Sequence, residues 1–168
     1  MVFLKTDIGY FLSGGTSNTN IALSIGNGIS NTSIVSGLSN NLFADITPTQ
    51  ALAGIVKFKC FYVRNLNATQ MLQTPKIWIA ANTLSAYDEI DLGIGFAAKN
   101  GTEPPIANDT TAPTGVVFTH PTSEVIGLEL PSLNPNDFKS VWARITVQAN
   151  SDPIDQNASI IRCRGTPI

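Results

Sequence analysis

Histidine occurs once in these 168 residues, cysteine twice and tryptophan twice, and only 13% of the side chains are charged. Each shortage removes a class of function. A single imidazole, His120, would have to serve any triad or dyad, and it precedes Pro121 at a strand end with no nucleophile motif around it. One histidine and two cysteines far apart in the chain cannot supply the four nitrogen or sulfur ligands of a structural zinc site. With 10 Lys+Arg against 12 Asp+Glu and no basic run, the electrostatic attraction behind most nucleic-acid binding is missing, so no nucleic-acid partner is expected. No apolar run approaches the roughly 18 residues that span a bilayer, so no membrane partner is expected either. Asp7 interrupts the first apolar stretch before a secretory h-region forms, so synthesis in a cytoplasm is expected.

What is present is a neutral polar surface and enough apolar material for a core. Ser, Thr and Asn together make 45 of the 168 residues, and 43% of the chain is hydrophobic. Asn-x-Ser/Thr triplets at Asn31, Asn67, Asn100, Asn108 and Asn157 follow from that composition and read as chance.

From residue 55 onward short stretches alternate with period two between Asn, Pro, Asp and Gly breakers, which predicts strands at 55–64, 76–82, 88–96, 115–119, 124–130, 138–148 and 158–164. No helical pattern of ten residues separates them. The fold class is therefore all-β, an immunoglobulin-like or jelly-roll β-sandwich of about seven strands over 55–168. Residues 1–54 read as an extended N-terminal arm. Its apolar residues Phe3, Leu4, Ile8, Tyr10, Phe11 and Leu12 cluster between glycine joints and are the candidate partner-binding anchors, and Ile21, Leu23 and Ile25 alternate as a short strand would. Thr47-Pro48-Thr49-Gln50 fits a capping box, predicting a short helix near 48–53 that Gly54 ends. The long connection 99–114 is a contact candidate.

Few residues suggest chemistry. Asp88, Glu89 and Asp91 could offer paired carboxylates for glycoside hydrolysis or, with the Asn150, Asp152, Asp155 and Asn157 stretch, oxygen ligands for calcium; neither has a specific spacing. Both read as solvated loop carboxylates, and no catalytic, cofactor or metal residue is assigned. Gly93-Ile94-Gly95 is too short for a phosphate loop. Cys60 and Cys163 read as two core thiols; the alternative is a disulfide closing a loop of about 100 residues, worth about 4.7 kcal/mol in the chain-entropy picture. Phe58, Phe61, Tyr62, Trp78, Phe96, Phe118 and Trp142 read as packing residues; a solvent-facing row of them would instead mark a carbohydrate-binding face.

Several stretches together resemble tailed-bacteriophage virion structural proteins: KCFYVRN at 59–65, KIWI at 76–79, IANDTTAPTGVVF at 106–118 and SVWARITV at 140–147, with LSGG at 12–15 and NNLF at 40–43. The resemblance implies a non-enzymatic structural protein of the capsid decoration or cement kind. Such a protein would bind the major capsid protein shell through its arm and sandwich loops, as a homo-oligomer (dimer or trimer) on the capsid surface of the virion. Other virion proteins of the tail, baseplate or fibre, or a carbohydrate-binding adhesion module, are the alternatives. The basic Arg162-Cys163-Arg164 departs from that pattern, where a more neutral strand is expected.

Overall fold

The computed structural model describes residues 4–83, 85–152 and 157–168, so the Phe3 and Asp155 assignments lie outside the described residues. Two antiparallel sheets face each other. One has five strands, in the order β2 (Ile29–Ser33), β1 (Ile8–Ser13), β3 (Ile55–Asn65), β7 (Phe138–Val147) and β5 (Asp88–Ile94). The other has three: β6 (Leu128–Glu129), β4 (Leu72–Ala81) and β8 (Ile160–Pro167). The protein is an all-β sandwich.

Alternation decides what lies between the sheets. Leu12, Phe61, Val63, Leu92, Val141 and Ala143 project inward from the larger sheet and meet Ile77 and Ile79 of β4, with Leu130 beside them. Burying each of the large side chains stabilises by about 1.5–3 kcal/mol relative to exposure, so this contact is what joins the layers.

The opposite face of the larger sheet is also covered, which period-two reasoning did not anticipate. Phe58, Cys60, Tyr62 and Trp142 form a second apolar cluster, capped by Phe11, Ile29, Ile106, Val116 and Phe118. The cap is built from two irregular stretches stitched together: Asn27 N–H donates to Glu103 O (2.8 Å) and Ile106 N–H to Ile25 O (3.0 Å). The 99–114 connection is therefore largely a lid over the sheet. Most of its residues nevertheless stay exposed and remain open to contact.

The division at residue 54 does not hold, because β1 pairs with β3 residue by residue from Ile8↔Asn65 to Leu12↔Phe61. Leu12 is 2% exposed in the central core, Ile8 and Tyr10 pack against it, and Phe11 packs on the outer cluster. Of the described candidate anchors, Leu4 alone stays mainly in water, at 56% exposure. The arm reading fails for a physical reason: an unpaired β3 edge with a hydrophobic face is satisfied within the same chain. The helix prediction holds. Helix α1 (Pro48–Ala53) starts with Gln50 N–H donating to Thr47 Oγ1 (3.3 Å) and Thr47 N–H to Gln50 Oε1 (3.0 Å).

Two smaller expectations also change. Ile21–Leu23 form a 3-10 turn instead of a strand, and 115–119 contributes one isolated bridge, Thr119 to Leu92. Predicted strand 124–130 shrinks to the two residues of β6. Among the described residues no helix is long and apolar enough to cross a membrane.

Candidate functional site

Two clusters of titratable groups lie on the outer face of the five-stranded sheet. At its β5 end, Glu89 and Asp91 lie on one face of the strand, opposite Thr146 and Arg144 of β7. Asp91 is buried, and its Oδ2 accepts from Arg144 Nε (2.9 Å) and Nη2 (2.6 Å). The same guanidinium lies 5.1 Å from the centroid of Phe118, a cation–π stack that fixes its plane. His120 folds over this pair, with Nδ1 2.6 Å from Ile90 O and 3.5 Å from Asp91 Oδ1. Ligand-capable atoms of Glu89, Asp91 and His120 lie within 4.8 Å of one another. The structure thus brings together His120 and two of the three carboxylates singled out in the sequence.

Their chemistry is nevertheless constrained. Two guanidinium hydrogen bonds tie Asp91 Oδ2 into a structural ion pair, and the Arg144 charge opposes a cation that would share Asp91. Asp88 points to the other side of β5, where it accepts from Asn157 Nδ2. Glu89, Asp91 and His120 are the residues that would hold a metal, but the arrangement is also what an ion pair bracing an edge strand requires. The Asn150–Asn157 calcium candidate includes residues outside the described ones.

The second cluster centres on Glu103, which gave no signal in the sequence. It is 1% exposed, on the inner side of the lid. Its carboxylate accepts from Phe96 N–H (2.8 Å), Ala97 N–H (3.0 Å), Ser140 Oγ–H (2.7 Å) and Trp142 Nε1–H (3.0 Å). Its own N–H donates to Tyr62 Oη (3.1 Å), whose hydroxyl donates to Asn27 O (2.6 Å). Burial acts to raise the Glu103 pKa, but the hydrogen bonds from Trp142, Ala97, Ser140 and Phe96 outweigh it and hold the group below its ordinary value. Lys139 completes the arrangement by donating to Gly95 O (2.8 Å) and to Ala97 O. Every oxygen of Glu103 is saturated, so its role is to fasten the lid to β7.

The glycine pair read as a motif fragment belongs to this fastening. A Cβ on Gly95 would collide with Ser140 Oγ and lie 2.6 Å from Glu103 Oε2, and one on Gly93 would lie 2.8 Å from Val117 O. Both glycines let the lid approach the sheet.

The cysteines are free and lie on opposite sides of the larger sheet, Cys60 in the outer cluster and Cys163 against the central core. Burial pushes the Cys60 thiol well up and the Cys163 thiol to about 12, so neither is a thiolate nucleophile at neutral pH. The disulfide alternative is excluded by this placement. Thermal melting of the purified chain is expected to be unchanged, within a degree or so, on adding reductant; a drop of several degrees would reveal a bond.

Phe58, Phe61, Tyr62 and Trp142 are buried, as packing residues should be. Of the remaining strand aromatics, Phe118 caps the outer cluster, Trp78 is half-buried on the far face of the smaller sheet, and Phe96 is 71% exposed. They form no row on one face. No known protein family, curated protein or solved structure matches the chain.

Proposed function

We propose that the chain is a non-enzymatic virion structural protein, a capsid decoration or cement subunit that binds the major capsid protein shell and acts by contact alone. The observation that carries this reading is a contrast in how side chains are used. Glu103, Asp91, Arg144 and Lys139, the groups with the most chemical potential, are consumed by structural bonds. Large apolar side chains meanwhile stand in water: Val125 at 84%, Val117 at 77%, Leu52 at 66% and Leu38 at 61%. Apolar groups presented on a weakly charged surface suit association with protein. The stretches at 59–65, 106–118 and 140–147 supply the virion context through their resemblance.

In this reading the contacts come from the exposed tips of the chain, Leu4 and Leu38 among them, and from the sandwich surface. Repetition of a weak contact around a symmetric shell then accumulates into firm attachment. The decisive experiment is a reconstruction of particles carrying the tagged chain, with density expected on the outer shell between coat subunits. Density confined to the tail would replace the capsid assignment with the tail or baseplate alternative, and particles without the chain would overturn the virion reading.

A further inference from the structure

Strand β8 ends the three-stranded sheet and is paired on one side only, by β4. Among the described residues no backbone–backbone hydrogen bond reaches its other side, where the Tyr10 hydroxyl lies against the Cys163 backbone. An open edge of eight residues is either protected or occupied. Arg162 and Arg164 project from it into water, opposite Trp78 and Lys76. Arg162 makes no ion pair among the described residues, and Arg164 meets only Glu124 (3.2 Å), an exposed contact of little energy.

Beside Arg164 lies an open groove of about 680 Å³, lined by Thr74, Lys76, Val125 and Gly165 among others. It sits where the β4–β8 register shifts, between Gln73 and Lys76. Thr74 has φ 37° there, a conformation that a β-branched residue adopts rarely. Gly165 faces the shift so closely that a Cβ would lie 2.9 Å from Gln73 O. The irregularity keeps Lys76 and Arg164 on the rim of one depression.

We infer that β8 is a docking edge for an extended, acidic segment of another polypeptide, added as a fourth strand. Main-chain hydrogen bonds on either side of the Tyr10 contact would supply the pairing. Alternate side chains of the added strand would fall beside Arg162 and Arg164, calling for carboxylates. The intervening ones would fall beside Ile161 and Cys163, which pack against the core, calling for apolar groups. Pairing β8 with its own copy in the central register would set arginine against arginine, which disfavours a homodimer here. This assignment rests on the reading of the chain as an assembly protein and names its partner's chemistry.

The test uses the full isotope-labelled chain and two synthetic peptides as long as β8, one alternating glutamate with valine and one alternating lysine with valine. The glutamate peptide is expected to shift the β8 amides, to bind about tenfold more tightly than the lysine peptide, and to weaken with salt. Arg162→Glu with Arg164→Glu is expected to reverse that preference without a large change in melting temperature, since both side chains are exposed. Equal affinities, shifts away from β8, or β8 amides that respond to protein concentration alone would overturn the inference. Particle incorporation is scored separately: wild-type chain found on particles but indifferent to the peptides sinks the edge assignment and leaves the virion reading standing.

Discussion

Glu103→Ala is expected to lower unfolding stability by about 3–5 kcal/mol, the range for breaking a buried charged network by removing one partner. Four donors would be orphaned under the lid at once, including the indole of Trp142 and the hydroxyl of Ser140. Since whole domains have only about 5–15 kcal/mol, such a loss is large. Urea unfolding followed by tryptophan fluorescence would measure it; a change under about 1 kcal/mol would show that the lid is held by its apolar contacts alone. Glu103→Gln should fall between, because the amide keeps one acceptor oxygen but turns an NH₂ toward existing donors.

The same carboxylate predicts a pH dependence whose sign is fixed. The folded pKa of Glu103 lies below its unfolded value of about 4.3, so the unfolded chain binds more protons. Its stabilising contribution is complete above that unfolded value and is lost as pH falls through the folded one. Acid titration of the wild type should therefore show a steeper decline below about pH 4 than Glu103→Gln, which keeps only the loss from other carboxylates such as Asp137.

Deleting residues 1–41 is expected to abolish the cooperative fold. That cut removes β1 and β2, strips the β3 edge of its partner and takes Leu12 from the central core. The single substitution Leu12→Ala isolates the core component and should cost about 2–5 kcal/mol. Circular dichroism and thermal melting of both variants would check this. A truncated chain that still melts in one sharp transition would restore the separate arm.

These outcomes follow from features of unequal legibility. Strands β3, β5 and β7 could be read because one face of each alternates clearly, as in Ile90-x-Leu92-x-Ile94. Helix α1 was readable because its cap is local chemistry, two side chains bonding two nearby amides. β1 was misread for the opposite reason: Ile8, Tyr10 and Leu12 face the central core while Phe11 meets the outer cluster, so no alternation survives. The lid was hidden in the same way. Tyr62 and Trp142 break the simple pattern because the second face is covered too, by stretches rich in Pro, Gly and Asn that look solvated. Glu103 sits in one of them, and nothing near it in the chain foretells Ser140 and Trp142. Asp88, Glu89 and Asp91 were visible as a group, but Arg144 and His120, which determine what Asp91 can do, reach it only through tertiary structure.

The position of β3 has a kinetic consequence. It is the middle strand of its sheet, yet one neighbour, β1, is made before it and the other, β7, is made only after a long stretch of further chain. A growing chain can zip β1 to β3 early as a hairpin-like pair with a wide connection, but its greasy flank stays bare until the ribosome has released β7. Non-local pairing of this kind makes for slow collapse into the native topology, and the interval before closure is when this chain is most exposed to sticking to its siblings.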